Sequence, residues 1–600
     1  MSIREIMRKY AMLLEAGARR QFYALCALAV GAAFLETLAV ASIMPFLAAL
    51  AGPEAGGGDP HVAKLHALLG AQSQAQHLAY VGGLVLLLLV LANALSAATT
   101  WLMLRFANRQ GHALSVRLLG SYLAKPYEFY LDRHTAELQK NVFAEVYRVT
   151  GGILIPAVQI VAKLCVVLFV SVLLVIINPL MALVIAAVLG GAYALLYGLA
   201  RGALHGAGRV SVEAGTLRAR HALESLSGAK EIKLLGREAE FLERFREPSL
   251  RWADAQTRAQ ALAQLPRHAV ETVAFSLILA LAIYLLNAER GMGELLPLLG
   301  VYAFAGYRLI PALQLVFAGF AAVRNSRAAL DAVVQDLMPA PDAPATRAGA
   351  QGRLGLRQAI ELQGVRYRYP GAGSWALEPV TLRIPKNSSV ALVGATGCGK
   401  TTVVDLLMGL LPPAEGCLRV DGMAIDERNV RAWQRSIGHV PQQIFLCDDT
   451  IARNIALGLP AAQVDMARVE RAAQLARLHE FVLGELPKGY DTLVGDRGIR
   501  LSGGQRQRIG IARALYHDPE VLVFDEATSA LDNATENALL ESLQGLAGRK
   551  TLITVAHRMT TVQHCDRIYV MEKGRIVESG TYAELSARAD RFRALNARGA

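Results

Sequence analysis

The sequence has little charge and little cysteine for a chain of 600 residues. Charged residues make up 19% of it, and none of its six cysteines shows the paired spacing of a metal site. We therefore expect no cysteine-bound metal and interpret all six as reduced thiols of a cytosolic or membrane-embedded chain. Internal repeats and low-complexity tracts are also absent from the sequence.

Apolar residues, in contrast, are abundant. They make up 53% of the chain, the mean hydropathy is +0.33, and most of the apolar excess lies in the first half. This distribution predicts a membrane domain followed by a soluble domain. The formal charge of +12 could indicate nucleic-acid binding, but the basic residues flank apolar runs, as they do at the cytoplasmic face of a membrane. We predict no nucleic-acid partner.

Six apolar stretches approach the length of about 20 residues that a membrane helix needs. They cover residues 21–50, 78–104, 151–177, 180–199, 270–286 and 295–320. The basic start of the chain precedes an apolar run longer than that of a secretory signal, so we predict a retained first span with a cytoplasmic N-terminus. The long connections 105–150 and 200–269 are basic, which places them and both termini on the cytoplasmic side.

The connections and the second half complete the predicted organisation. Both long connections have helical patterns and predict rigid extensions of the spans. In the outer connection, residues 61–70 are amphipathic and either lie on the membrane surface or cap the loop. We predict an α-helical six-span transmembrane domain over residues 1–330, a Pro/Ala/Gly-rich linker over 331–355, and an α/β P-loop nucleotide-binding domain with a largely parallel sheet over 356–600.

A glycine-rich loop, GATGCGKTT, spans residues 394–402. It follows an apolar strand and opens a helix, which is the context that a P-loop requires. Gly394, Gly397 and Gly399 would let backbone N–H groups converge on phosphate oxygens. Lys400 would reach the β- and γ-phosphates, and the Thr401 hydroxyl would ligate Mg²⁺. The alternative, a coincidental glycine-rich turn, is disfavoured by the strand, lysine and threonine together.

A second apolar strand, VLVF, ends in Asp525 and Glu526. Asp525 is placed to hold the Mg²⁺ shell, and Glu526 to polarise an attacking water. Two buried carboxylates without partners would be costly at a strand end, which disfavours a purely structural role.

The sequence LSGGQ at residues 501–505 lies between these two halves, and the combination resembles the nucleotide-binding domain of ATP-binding cassette (ABC) transporters. The resemblance extends over about the whole chain. It implies that Tyr369 stacks on adenine, Gln442 senses Mg²⁺ and water, Asp532 is the D-loop aspartate and His557 contacts the γ-phosphate. The predicted ATP site comprises Tyr369, Gly394, Ala395, Thr396, Gly397, Cys398, Gly399, Lys400, Thr401, Thr402, Gln442, Ser502, Gly503, Gly504, Gln505, Asp525, Asp532 and His557. Predicted Mg²⁺ ligands are Thr401, Gln442 and Asp525, and predicted catalytic residues are Glu526, His557 and Gln442.

The resemblance also implies a homodimer. In this family the P-loop of one subunit and the LSGGQ of another close on the same ATP, and one cassette with about six spans is half of an exporter. Because the motifs are intact, we expect both sites to hydrolyse ATP. The family's coupling helices match residues 137–146 and 213–226. One departure is Asp496, where many exporters carry glutamate; the carboxylate is retained, so we expect little change.

Arg308 lies in the middle of the sixth apolar stretch. A charge near the bilayer centre costs about 2.5 to 3.5 kcal/mol, so we expect it to face a partner or a wet cavity. Arg267 and Lys163 add cations, against Glu36 and Glu271. These residues either form structural ion pairs and snorkel, or bind an anionic substrate, which suits guanidinium. Arg308 and Arg267 are therefore candidate head-group residues.

Residues 33–50, 230–238 and 307–313 resemble the PglK-type branch of ABC flippases. This resemblance implies translocation of a polyprenyl-pyrophosphate oligosaccharide for protein N-glycosylation across the bacterial inner membrane. The alternative cargo is another amphiphile, such as a lipid A precursor, a glycolipid or a hydrophobic drug. A soluble ABC ATPase acting on DNA or ribosomes is disfavoured by the six spans. An ABC-type channel is disfavoured by the intact Glu526 and the lack of a regulatory insertion.

Overall fold

The chain forms two compact units. A computed structural model describes residues 3–50, 74–133, 135–287, 292–337, 352–495, 498–525, 545, 548–556, 562–588 and 590–593. The first unit comprises Met1–Tyr122 and Ala136–Met338, and the second comprises Leu123–Thr135 and Pro339–Ala600. The helical domain therefore precedes the α/β domain, as predicted. A short segment of the first long connection belongs to the second unit, which the sequence did not predict.

Within the first 337 residues, the described secondary-structure elements are all helices joined by short turns. The helices are α1 (Ile3–Leu13), α2 (Ala16–Ala41), α3 (Ile43–Leu50), α4 (Gln74–Ala124), α5 (Glu128–Leu131), α6 (Thr135–Lys140), α7 (Val146–Val149), α8 (Ile155–Ile177), α9 (Pro179–Ser227), α10 (Ala229–Leu235), α11 (Glu238–Asn287), α12 (Met292–Asn325) and α13 (Arg327–Leu337). Two π-helical turns, Asn141–Glu145 and Thr150–Leu154, flank α7. The outer segment 61–70, for which a surface helix was considered, lies outside the described residues.

Six of these helices carry the predicted spans. Among the described residues, Ala16–Leu47, Leu78–Ala124, Glu137–Ile177 and Leu299–Asn325 are long and apolar enough to cross a membrane. The predicted stretches 180–199 and 270–286 lie within α9 and α11. These helices have 49 and 50 residues, or roughly 75 Å at about 1.5 Å per residue, against a hydrocarbon layer of about 30 Å. Both therefore extend well beyond a bilayer.

A tight turn joins α8 to α9. Asn178 has an extended backbone, and its side-chain oxygen accepts a hydrogen bond of 3.1 Å from the Met181 amide. Pro179 takes the first helical position, where its missing N–H costs nothing. The following reversal uses α10, whose C-terminal cap is Gly236 with a φ of +61°, a conformation that glycine adopts without strain.

Helices α2, α8 and α12 share a core in the first unit. It contains Ala33, Val166, Val170 and Leu309, all buried. Elsewhere along the α8–α12 contact, a Cβ on Gly319 would lie 2.7 Å from Cγ1 of Ile160, so only glycine allows this approach. Large apolar side chains on other faces are exposed, including Leu86, Leu168 and Ile176, which is the pattern of a lipid-facing surface.

Helix α13 corrects the predicted domain boundary. The sequence assigned residues 331–355 to a linker, but α13 continues to Leu337 and packs on the first unit through Ala329, Leu330 and Val333. The Asp336 carboxylate, which is 6% exposed, accepts hydrogen bonds from Tyr122 Oη at 2.5 Å and Asn141 Nδ2 at 3.0 Å. Residues 331–337 therefore belong to the helical domain, because their apolar side chains and the buried Asp336 carboxylate pack within it.

The described part of the second unit contains two sheets. Its strands are β1 (Ala359–Tyr367), β2 (Leu377–Pro385), β3 (Ser389–Gly394), β4 (Glu415–Val420), β5 (Met423–Ala424), β6 (Ile437–Val440), β7 (Val521–Asp525), β8 (Thr551–Val555), β9 (Arg567–Glu572) and β10 (Arg575–Gly580). Its helices are α14 (Lys400–Leu407), α15 (Val430–Gln434), α16 (Ile451–Ile455), α17 (Met466–Leu475), α18 (His479–Glu485), α19 (Gly503–Tyr516) and α20 (Tyr582–Arg588). The antiparallel sheet has the order β2-β1-β4-β5, and the six-stranded sheet has the order β10-β9-β3-β8-β7-β6.

The six-stranded sheet is parallel except at its β10 edge. Strands β9, β3, β8, β7 and β6 pair in parallel, and β10 pairs antiparallel with β9. The register aligns Leu392 of β3 and Asp525 of β7 with the same residue of β8, Val555. The carboxyl ends of these strands therefore meet at one edge, where open α/β sheets bind ligands.

Candidate nucleotide site and membrane cation cluster

The carboxyl edge of the parallel sheet gathers three of the predicted motifs. The P-loop follows β3, Asp525 ends β7, and Gln442 lies two residues after β6. Because β6 and β7 are neighbours, Gln442 and Asp525 lie at adjacent strand ends. The structure thus brings together the predicted P-loop, Asp525 and Gln442.

The P-loop backbone requires its glycines. Gly397 and Gly399 have φ angles of +80° and +104°, which residues with a side chain rarely adopt. A Cβ on Gly399 would lie 2.7 Å from Leu377 Cδ2, whereas a Cβ on Gly397 would meet nothing within 4 Å. Gly399 is therefore fixed by packing. Gly397 keeps an open position at which backbone N–H groups can approach a phosphate.

Lys400 is held over this loop by its own backbone. Its side chain is buried, and Nζ donates to the carbonyl oxygens of Gly394 at 2.8 Å and Ala395 at 3.1 Å. The loop turns through a hydrogen bond from the Cys398 amide to the Ala395 carbonyl. Thr401 begins the exposed face of α14, and the hydroxyls of Thr402 and Tyr369 are 2.8 Å apart. Thus Tyr369, predicted to stack on adenine, lies beside the phosphate loop.

Asp405 is an acidic residue of this site that the sequence reasoning missed. Burial, together with the charge of Asp525, raises the pKa of Asp405 to about 6. The two carboxylates create a negative potential beside the P-loop, which a divalent cation would relieve. The residues present therefore fit Mg²⁺ with a nucleotide. The sequence did contain a signal for Asp405. This residue follows Thr401 by four residues on α14, so the two side chains lie on the same helical face.

The signature sequence begins a well-capped helix. Ser502 Oγ accepts from the Gln505 amide at 3.2 Å, and Gln505 Oε1 accepts from the Ser502 amide at 2.8 Å. This capping box leaves Ser502 exposed at the N-terminus of α19, the positive end of the helix dipole. Leu501 and Ile509 pack in one core cluster, whereas Leu392 and Cys398 of the P-loop region pack in another. The described contacts thus hold Gly503, Gly504 and Gln505 in a part of the domain separate from the P-loop.

Four predicted positions lie outside the described residues. They are Glu526, Asp532, His557 and the departure at Asp496. Glu526 directly follows Asp525, and His557 directly follows Ala556 at the end of β8, so both are adjacent in sequence to the carboxyl edge. Their catalytic roles stay predictions.

The predicted coupling segments, 137–146 and 213–226, both lie in the first unit, and their coupling role stays a prediction. Helix α5, rather than residues 137–146, belongs to the nucleotide-binding unit, and Tyr367 Oη donates a hydrogen bond of 2.6 Å to Glu128 Oε1. Burial, followed by the charge of Asp405, raises the pKa of the neighbouring Tyr127. The second expected segment, 213–226, lies inside α9, and the chain reverses at α10 instead. Pro126 and Gly228, which interrupt helices, were the signals that placed these turns.

Arg308 lies in a cluster of charges on α2, α8 and α12. Arg308 Nη1 is 3.6 Å from Glu36 Oε2, and Lys163 Nζ is 3.8 Å from the same oxygen. Arg308 Nη2 also donates to Asn93 Oδ1 at 3.4 Å. The expected ion pair therefore exists, and among the described side chains of this cluster the two cations face one carboxylate. Arg267 lies in α11, and its side chain is outside the described part.

A bundle of long apolar helices joined to a P-loop α/β domain with its own signature helix defines the class of half-size ABC exporters. A family model described as the ABC transporter transmembrane region matches residues 23–299, and one described as ABC transporter matches residues 377–529. The chain belongs to the ABC transporter family.

Relatives support this membership. The chain is 32% identical over 475 residues to the ATP-dependent lipid A-core flippase of Saccharophagus degradans, covering 77% of each chain. It is 37% identical to the flippase of the same name from Alkalilimnicola ehrlichii and 35% identical to the heterocyst differentiation ATP-binding protein HepA of a Nostoc species. Those two matches cover 60% and 61% of this chain, but only 61% and 59% of the relatives, so the chain spans about three fifths of their length.

A solved structure shares the fold over nearly the whole chain. It is that of a bacterial Atm1-family ABC exporter with ATP bound, with a TM-score of 0.72 and 25% identity. The similarity covers 96% of this chain and 98% of that one. The predicted fold class, a transmembrane helical domain followed by an ABC nucleotide-binding domain, is confirmed.

Proposed function

We propose that the protein is an ATP-driven flippase that moves a phosphorylated amphiphilic lipid across the bacterial inner membrane as a homodimer. The observation that carries this proposal is the likeness to a lipid A-core flippase over 77% of both chains. Two of the reported relatives are named lipid A-core flippases. Their names favour a lipid A type of cargo over the lipid-linked oligosaccharide. At the level of sequence, lipid A precursors were only the alternative cargo. Both cargo types carry phosphate groups.

The proposed ATPase uses the residues at the carboxyl edge of the sheet. The P-loop amides and Lys400 bind the phosphates, and Tyr369 stacks on adenine. Thr401, Gln442 and Asp525 would hold Mg²⁺, which would neutralise part of the phosphate charge. Glu526 polarises the attacking water.

A second copy of the chain completes each nucleotide site. In this proposal His557 is the residue that contacts the γ-phosphate, and Asp532 is the D-loop aspartate. The exposed N-terminus of α19, with Ser502 as its cap, presents backbone donors and suits a phosphate bound to the partner copy. Since the P-loop and α19 lie in separate core clusters, a symmetric dimer would form two composite sites.

The proposed cargo contact is the cation cluster in the membrane. Arg308 and Lys163 together outnumber Glu36, so the site carries an uncompensated positive charge that favours an anionic group. Arginine binds phosphate with two parallel hydrogen bonds, which gives orientation as well as affinity. Neutral drugs lack the complementary charge.

The test is a substrate-stimulated ATPase panel with purified dimer in lipid nanodiscs. Lipid A, a polyprenyl-pyrophosphate oligosaccharide and a neutral glycolipid are compared. We expect lipid A to stimulate hydrolysis several-fold and the neutral glycolipid not to. Stronger stimulation by the oligosaccharide would instead support the second cargo. Arg308→Ala should abolish the stimulation, while Arg324→Ala, an exposed arginine on the same helix, should retain it.

A further inference from the structure

Glu36 occupies an unusual position between two membrane cations. Its side chain is 4% exposed, whereas those of Arg308 and Lys163 are 21% and 25% exposed. Both cations approach the same oxygen, Oε2. The carboxylate is therefore the buried member of the cluster, and the two cations form its more accessible side.

The cluster lies deep in the membrane domain. Lys163 is about 20 Å from the end of α8 at Ile177, and Arg308 is about 24 Å from the start of α12 at Met292, at ~1.5 Å per residue. These helices share one core with α2, which carries Glu36. Charges at such depth need compensation, since the hydrocarbon layer is about 30 Å thick.

The contacts to Glu36 are loose. At 3.6 and 3.8 Å they exceed the usual distance of about 2.7 to 2.9 Å for a charge-assisted hydrogen bond. Within the described residues, Arg308 makes one further contact, the 3.4 Å hydrogen bond to Asn93. A guanidinium has five N–H donors, so most of the hydrogen-bonding capacity of Arg308 is available to another anion.

We infer that Glu36 is an internal counter-anion that the phosphate of the lipid displaces from Arg308 and Lys163, so that the site selects dianionic head groups. This inference rests on the proposed function. With Glu36 in place the cluster carries one excess positive charge. Once Glu36 withdraws, the two cations match a phosphomonoester, whose charge is about −1.5 to −2 at neutral pH. A phosphodiester, with a single negative charge, compensates only one cation and competes poorly with the resident carboxylate.

The experiment measures the lipid concentration that gives half-maximal ATPase stimulation of full-length dimer in nanodiscs. The probes are lipid A, the same lipid A after phosphatase treatment, and phosphatidylglycerol. Wild type should respond to lipid A and neither to the dephosphorylated form nor to phosphatidylglycerol. If lipid A gives no response in wild type, the proposed function fails.

Glu36→Gln tests the inference itself. Removal of the competing carboxylate should lower the half-maximal concentration of lipid A about fivefold to tenfold and allow a response to phosphatidylglycerol. Glu243→Gln removes an exposed carboxylate on α11 and is the control; it should leave the half-maximal concentration of lipid A and the lack of response to phosphatidylglycerol unchanged. An unchanged or higher half-maximal concentration in Glu36→Gln, with a normal wild-type response, would overturn the inference and leave the proposed function intact.

A double variant covers the case in which Glu36→Gln does not fold. Glu36→Gln/Lys163→Gln keeps the net charge of the cluster but leaves a single cation. We expect it to fold and to lose the preference for lipid A over phosphatidylglycerol. If this variant still preferred lipid A over phosphatidylglycerol as strongly as wild type does, the result would contradict the inference that Arg308 and Lys163 together bind one dianionic phosphate.

Discussion

The phenol of Tyr367 donates a 2.6 Å hydrogen bond to the carboxylate of Glu128, which joins the end of β1 to helix α5. Tyr367 also contacts Tyr369 edge to face, with ring centroids 5.1 Å apart. The hydroxyl of Tyr369 in turn lies 2.8 Å from that of Thr402 on the P-loop helix. A continuous series of side-chain contacts therefore connects the first long connection to the predicted nucleotide site.

Loss of the Tyr367–Glu128 contact should weaken the link between transport and hydrolysis. A hydrogen bond to a charged group contributes about 1.5 to 3 kcal/mol, so Tyr367→Phe or Glu128→Gln should reduce lipid-stimulated ATPase several-fold. Because both variants remove the same bond, the double variant should be no worse than either single one. ATPase stimulation in nanodiscs measures all three.

The matched control is Glu137→Gln. Glu137 is exposed on α6 and lies in the segment that the sequence assigned to coupling. It should retain wild-type stimulation. Full additivity of the Tyr367 and Glu128 variants, or loss of stimulation in the control, would contradict the assignment of coupling to α5.

Two P-loop glycines should respond differently to alanine. At Gly399 a Cβ adds an overlap with Leu377 to the strain of positive φ, so Gly399→Ala should destabilise the domain by about 3 kcal/mol. At Gly397 the surroundings are open, and Gly397→Ala should cost about 1 kcal/mol. Thermal unfolding without nucleotide measures this difference. Equal destabilisation would show that Leu377 adapts to the added methyl group.

The buried carboxylate of Asp336 should be essential for the docking of α13. Asp336→Ala leaves the donors of Tyr122 and Asn141 without this acceptor, so we expect a loss of about 2 to 4 kcal/mol in unfolding free energy. Asp331→Ala is the control, because the half-exposed pair with Lys9 should contribute only about 0 to 1 kcal/mol. Similar losses in both variants, measured by denaturant unfolding, would contradict this account.

His439 should make the second unit sensitive to acid. Burial lowers its pKa from 6.5 to about 4, and within the described residues its Nε2 has no hydrogen-bond partner. The unfolded chain takes up the proton as pH falls from 6.5 to 4 while the folded chain does not, so stability is lost in this window. His439→Gln should therefore lose less thermal stability than wild type between pH 7.5 and 5.

Comparing the variant with wild type separates the effect of His439 on pH-dependent stability from that of Asp405. Asp405 has a raised pKa of about 6, and its protonation favours the folded state as pH falls from 6 towards 3.8. Asp405 is present in both proteins, so its contribution cancels. An equal loss of stability in the two proteins would show that His439 is not the titrating group.

The local motifs were predictable because strand, loop and helix are adjacent in the chain. The P-loop, Asp525 and the capped signature helix all depend on short-range patterns, and each lies where the sequence placed it. The turn at Asn178 likewise depends on adjacent residues, Asn178 and Pro179.

Long-range relationships were not predictable from one sequence. Glu36 and Arg308 were recognised as membrane charges, but their shared contact with Lys163 depends on the packing of α2, α8 and α12. The hydrogen bond from Tyr367 to Glu128 joins residues far apart in the chain.

Transport of a phosphorylated lipid is the central claim, and a leaflet assay tests it most directly. Liposomes contain the dimer with lipid A, and a phosphatase added outside reports how much lipid A remains in the outer leaflet. Molecules whose nucleotide-binding domains face outward should, with external Mg²⁺ and ATP, move lipid A inward and protect it from the enzyme. A dye-labelled neutral glucosyl lipid, measured with an impermeant reductant, should not move. Protection without ATP, or equal movement of the neutral lipid, would contradict the account.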